Sequence, residues 1–292
     1  MTSCPTRVLR PRERIRAAVL SALLVLLPCT LSQRAAAWGA PVHVLICEMA
    51  WLQLTPTAKR LVRLIRAGDR GETESFAQSC VWPDTVRATV HRDSYEYHFT
   101  NLARGANGFD PARDCAAFDC VPLAVHRYLR YVLETGDSER LQLRRAAALR
   151  FVGHFVADLH QPLHVGVGDD RGGNSIDMQW HGRRTNLHAL FDAELPAAAG
   201  LAHASAAARL VARIDPVRGA QWRQGDVVAW ANESFVLARD RAYPLARDGQ
   251  VDAKEQQAIE PMLVEQVQKA SVRLAWLLNE AALGRFALRS LW

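Results

Sequence analysis

Two histidine–aspartate pairs, each spaced by four residues and each set in apolar sequence, constrain this chain more than any other feature. His154 and Asp158 lie in FVGHFVAD, and His188 and Asp192 in NLHALFD. On a helix, side chains at i and i+4 project from one face into one space. In apolar surroundings an unpaired charge is costly, so each pair needs a compensating partner. That partner is either a buried ion pair or a metal cluster. His164, just beyond Pro162 at the end of the first of these helices, adds a third imidazole. Imidazole and carboxylate donors with no thiolate suit a catalytic zinc better than a structural one.

The chain has 292 residues, 49% hydrophobic and 23% charged, a globular composition that requires no more than one domain. Residues 1–37 read as something else. Arg7, Arg10, Arg12, Arg14 and Arg16 form a basic start, Ala17 to Leu31 an apolar run, and Ala35-Ala36-Ala37 a small-residue cleavage motif. This order predicts a secretory signal peptide over 1–37, cleaved after Ala37, and a mature domain over 38–292. The rival readings are an uncleaved anchor and a lipoprotein signal at Cys29. The apolar run is interrupted by Pro28 and is shorter than the ~20 residues that span a bilayer. Pro28 also stands where a lipoprotein signal has a small residue. The expected protein is thus secreted or periplasmic, without a membrane anchor after cleavage. The leader holds six arginines and one glutamate, so the net charge falls from +6 for the whole chain to near +1 for residues 38–292. A broadly basic surface for gripping duplex nucleic acid is not supported.

Four cysteines remain after the leader, an even number in an oxidising compartment, so disulfides are expected. Cys115 and Cys120 form the local pair, which leaves Cys47 with Cys80. Helical signals dominate. They predict helices from His43 to Leu54, from Pro56 to about Ala67 behind a Thr55 cap, and over 121–135 and 138–160. Leu263, Val267, Ala270, Leu274 and Leu277 make a buried helical stripe near the C-terminus. Residues 166–184 read as a Gly- and Asp-rich loop with a small hairpin. The fold class is therefore a single, mostly helical, all-α domain with a small hairpin and long loops near the site.

Two more segments complete a pattern. Trp82-Pro83-Asp84-Thr85-Val86-Arg87 precedes Tyr97-His98-Phe99-Thr100-Asn101, and the predicted mature start is Trp38-Gly-Ala-Pro-Val-His43. Together with the two pairs, this set resembles the zinc-dependent S1/P1 nuclease family, from Trp38 to about Asp192. The resemblance implies an all-α fold of the phospholipase C/nuclease P1 type with three zinc ions. Asp84, His98, His154 and Asp158 would hold the first, and His164, His188 and Asp192 the second. Trp38, through its freed amino and carbonyl groups, would hold the third with His43 and Asp158. It also implies cleavage of single-stranded DNA and RNA to 5′-phosphate products, and 3′-nucleotidase activity, by an enzyme expected to be a monomer. Asp84 would orient the attacking water, Arg87 would stabilise the phosphoryl transition state, and Phe99 would stack on a base. Asn101 stands where some relatives carry Asp, which leaves base preference open. Cys47 and Cys80 fall at positions that are linked in plant-like relatives.

The remaining histidines take plainer readings: His91, His126 and His203 at the surface, His181 in the hairpin, and His160 as a support to the ligands or at the helix end. Gly172-Gly173-Asn174 is read as loop geometry. Two other functions compete, a zinc-dependent phospholipase C and a non-catalytic exported zinc-binding protein. The NLHxxxD element and Arg87 favour the nuclease.

Overall fold

The computed structural model describes residues 38–69, 74–117 and 119–285, so the leader reading lies outside the described residues. Six helices of eleven residues or more carry the fold: α1 (Ala40–Gln53), α2 (Pro56–Arg66), α3 (Val121–Leu133), α4 (Glu139–Leu159), α5 (Val227–Leu237) and α6 (Ala253–Ala282). Their ends follow from local chemistry. The Thr55 side chain accepts from the Ala58 amide with Pro56 at the first helical position, and Ser138 caps α4 through the Leu141 amide. Asp252 and Glu255 form a reciprocal capping box at the start of α6. The all-α expectation holds, and so do the predicted helices, within two or three residues at their ends.

Burial separates these helices by role. Every residue of α4 from Ala148 to Leu159 is buried, so this half-helix is core on all sides. α3 and α4 pack together through the turn that contains Gly136, while α6 packs against α1, α2 and α4. Two apolar clusters result. One gathers Cys47, Ala50, Phe151, Phe155 and Leu274, and the other Trp38, Leu45, Ile46, Leu190 and Leu263. α1 and α4 contribute to both clusters, and these two helices carry His43, His154 and Asp158. The predicted stripe of α6, Leu263 to Leu277, is fully buried.

Two small sheets complete the described fold. The hairpin pairs β3 (Asp177–Trp180) with β4 (Arg183–Asn186), and its turn places His181 and Gly182 at φ 48° and 76°. The other sheet, β1 (Thr100–Leu102) parallel to β2 (Val165–Val167), was not foreseen. Three-residue strands carry too few side chains for a period to be read. This pairing sets Asn101 opposite Gly166 and so brings the His98 and His164 segments side by side.

Two plain readings need correction. His91 is half-buried, edge-on to Trp82 and Phe151 at 5.3 and 5.4 Å, and His126 is also half-buried, so neither is a simple surface residue. His203 is exposed and His181 lies in the hairpin turn, as expected. His160 ends α4: its Nδ1 donates to the Val156 carbonyl and its Nε2 accepts from the buried Arg273.

Candidate metal centre

The site is assembled from six separate segments. Asp84 stands on a short helix, Trp82–Val86, and His98 ends a 3₁₀ segment, Arg92–His98. α1 supplies His43, and α4 supplies His154 and Asp158 one turn apart. His164 ends the turn after Pro162, and His188 and Asp192 share the helical segment that follows β4. All eight side chains are buried save Asp84, which is 12% exposed.

Around Asp158 the donor atoms converge. His98 Nδ1 and His154 Nε2 lie 3.0 and 3.1 Å from Asp158 Oδ2 and 2.9 Å from each other. Asp84 Oδ1 is 3.8 Å from the first nitrogen and 3.7 Å from the second. His43 Nε2 is 3.1 Å from Asp158 Oδ1, and its ring stacks on His154 at 3.9 Å. Asp158 therefore bridges: one carboxylate oxygen faces His98 and His154, and the other faces His43. A second group forms beside it, with His188 Nε2 3.3 Å and His164 Nε2 3.9 Å from the Asp192 carboxylate.

The orientation of the rings is fixed from behind. His154, His164 and His188 each donate Nδ1–H to a backbone carbonyl, of Cys80, His98 and Gly172, at 2.7 to 2.8 Å. That bond sets the tautomer and turns the Nε2 lone pair into the centre. Three sets have ligand atoms within 4.8 Å of one another: His43, Asp84 and His154; His98, His154 and Asp158; and His164, His188 and Asp192. His43 thus reaches Asp84 and His154 as well as Asp158. Trp38 is wholly buried, and the Gly39 amide donates to the Asp192 carbonyl at 2.8 Å, which pins the start of α1 beside the second group.

The electrostatics fit a cation. Asp84 Oδ1, His43 Nδ1, His164 Nε2 and Asp192 Oδ2 are buried and make no hydrogen bond. An unsatisfied buried polar atom costs about 1–3 kcal/mol, so several at one point call for a partner. Burial pushes His98 down to about 4 and His164 to about 3, against the pull of Asp158. Both rings are therefore neutral, the ligand form, at neutral pH. Burial works against the charge on Asp158, yet His154 and His164 hold it well below the usual carboxylate range. Asp192 is pushed well above that range by burial and by Asp158, although Gln161 donates to it at 2.7 Å. Three carboxylates in one dry centre repel one another, and divalent cations reverse that penalty.

Arg87 Nη1 is 3.3 Å from Asp84 Oδ1 and its side chain is 13% exposed, so it is a neighbour of the centre rather than a surface charge. Phe99, next to His98 in the chain, is half-buried, and Asn101, three residues after His98, is exposed. Disulfides join Cys47 to Cys80 and Cys115 to Cys120. Sequence reasoning missed Tyr95, which is 50% exposed, sits edge-on to Phe99 at 5.9 Å and lies under the Arg87 guanidinium at 5.8 Å. Its spacing of four from Phe99 was the available signal.

The fold and centre define a class, that of helical proteins which gather imidazole and carboxylate groups able to hold metal ions at one site. Residues 38–282 match the profile of the S1/P1 nuclease family, and the chain belongs to that family. Among curated relatives, Endonuclease 2 of Arabidopsis thaliana is 34% identical over 166 residues, 54% of this chain and 56% of that protein. Nuclease S1 of Aspergillus oryzae is 32% identical over 57% of each chain. Endonuclease 1 of Arabidopsis thaliana is 26% identical over 87% of this chain and 90% of its own length. The alignment to Endonuclease 2 thus spans little more than half of that relative, whereas the alignment to Endonuclease 1 spans nearly all of it.

Proposed function

We propose that this protein is an exported zinc-dependent endonuclease that hydrolyses single-stranded DNA and RNA to 5′-phosphate products and removes the phosphate of 3′-nucleotides. The observation that carries this reading is the convergence of seven buried imidazole and carboxylate side chains and the nearly buried Asp84, several of them with a buried polar atom that makes no hydrogen bond. Three zinc ions are the assigned cofactors. The first would be held by Asp84, His98, His154 and Asp158, the second by His164, His188 and Asp192, and the third by Trp38, His43 and Asp158. Zinc in such a cluster supplies Lewis-acid activation of water and neutralises charge at phosphorus.

The chain's own groups do the rest. Asp84 Oδ1, paired with the Arg87 guanidinium at 3.3 Å, orients the attacking water. The Arg87 guanidinium, held between Asp84 and the Tyr95 ring, meets the charge that develops on the phosphoryl oxygens. Phe99 offers a face for base stacking, worth about 1–3 kcal/mol per base in comparable sites. Asn101 both donates and accepts, so it contacts a base edge without selecting one base.

Export fits the same scheme. Cleavage after Ala37 converts the Trp38 peptide nitrogen into an α-amine that titrates near ~8 and gives up its proton readily beside a metal. The family match beginning at residue 38 supports that boundary. Purified protein beginning at Trp38, assayed on single-stranded DNA, RNA, 3′-AMP and phosphatidylcholine, tests the reading. Turnover of the first three is expected. Turnover of the lipid alone would identify a phospholipase, and zinc binding without any turnover a non-catalytic protein.

A further inference from the structure

The loop after β2 adopts a conformation that needs an external hold. Arg171, Gly172 and Gly173 are left-handed in succession, at φ 57°, 63° and 85°. Glycine accepts this region freely, but an arginine does not. Such a turn persists only where its surroundings over-determine it. The hold is Asp170, a carboxylate that is 6% exposed. Its Oδ1 accepts from the Gly173 amide at 2.7 Å and from the Tyr243 hydroxyl at 3.0 Å, and its Oδ2 accepts from Arg104 at 3.1 Å. Tyr243 in turn accepts from the Val167 amide at 2.8 Å, so one hydroxyl ties β2 to the carboxylate.

What this turn delivers is His188. The Gly172 carbonyl accepts the His188 Nδ1–H at 2.7 Å, and the Gly173 carbonyl accepts the His188 backbone amide at 3.4 Å. The fit is tight, since a Cβ on Gly172 would stand 2.5 Å from the Leu163 carbonyl oxygen and 3.5 Å from His188 Nδ1. Neither Asp170 nor Tyr243 belongs to the ligand set, yet both converge on the backbone that sets one ligand's tautomer and aim.

We propose that Asp170 and Tyr243 are positioning residues for the His188 ligand, locking the left-handed turn whose Gly172 carbonyl holds Nδ1–H and directs Nε2 toward Asp192. The inference rests on the zinc reading above. Partners behind a ligating histidine typically change metal affinity about 10–100-fold when removed.

The test compares wild-type, Tyr243→Phe and Asp170→Asn proteins, each beginning at Trp38, by native mass spectrometry against buffered free zinc and by thermal melting of the zinc-free forms. Both variants are expected to release one zinc ion at about 10–100-fold higher free zinc than wild type, with the other two ions retained. Tyr243→Phe keeps the ring packing, and its zinc-free melting is expected to match wild type. Wild-type zinc affinity at all three positions in both variants would overturn the proposal. Parallel loss of all three ions together with a lowered zinc-free melting temperature would also overturn it, because the pair would then be supporting the fold. A wild-type protein that binds no zinc would instead sink the function proposed above, and this inference with it.

Discussion

At Arg87 the guanidinium is placed against Asp84 on one side and the Tyr95 ring on the other, so it is ordered before any substrate arrives. Replacing it with alanine is expected to lower turnover on the order of 10²–10³-fold, the range for loss of one group that stabilises transition-state charge. Zinc content should not change, because Arg87 donates no ligand atom; loss of zinc in step with activity would contradict the assigned role. Phe99→Ala should act on a different parameter. A lost stacking platform weakens binding by about 1–3 kcal/mol, so KM for a 3′-nucleotide should rise roughly 5- to 150-fold with kcat nearly kept. The roles expected of these two residues came from the family resemblance, at positions just after Asp84 and His98. Asp170 and Tyr243 were not legible, because their roles arise from contacts across the fold that no local period encodes, while for Tyr95 the i,i+4 spacing from Phe99 was the one local signal.

Among the helices and loops, the Cys47–Cys80 bridge has a consequence for the centre. It ties α1, which bears His43, to the segment before Asp84, and it lies against Gly153 of α4. A Cβ on Gly153 would stand 2.5 Å from Cys80 Sγ and 3.1 Å from Cys47 Sγ. The next residue, His154, donates to the Cys80 carbonyl. Gly153→Val should therefore push α4 away from the bridge, lowering stability by about 1–3 kcal/mol and weakening zinc binding at His154. Chemical denaturation beside zinc titration checks both, and a variant as stable and zinc-tight as wild type would contradict the packing argument. The helices themselves were readable from caps and apolar spacing: Thr55-Pro56 starts α2 as expected, and the α6 stripe is buried as expected. The β1–β2 pair was hidden, because its three-residue strands are specified by the parallel register between distant segments.

For the whole molecule, the buried imidazoles link stability to acidity. Burial lowers His98 to about 4 and His164 to about 3, and His188 moves in the same direction. An unfolded histidine titrates near ~6.5, so as pH falls the unfolded chain takes up protons first. The zinc-free protein should hold this stability above about pH 6.5 and lose it progressively toward pH 4. His154, raised by Asp158 and Asp84 despite its burial, and Asp192, raised by its burial, offset part of the loss. Urea midpoints taken from pH 7 to pH 4.5 measure the balance, and a flat profile would contradict the assignment of neutral, buried ligands. Helical spacing made each pair legible by itself, since it sets His154 with Asp158, and His188 with Asp192, onto common faces, while their meeting at one centre was implied by the family resemblance. The bridging position of Asp158 was implied only by the family resemblance, and its geometry comes from the meeting of α1, α4 and the His98 segment.

Native mass spectrometry of the exported protein bears most directly on the central claim, since it reads the N-terminus and the bound ions together. The account predicts a chain beginning at Trp38 that carries three zinc ions, and loss of all three on chelation. A chain retaining residues before Trp38 with three zinc ions bound, or one beginning at Trp38 with fewer than three at saturating zinc, would contradict it.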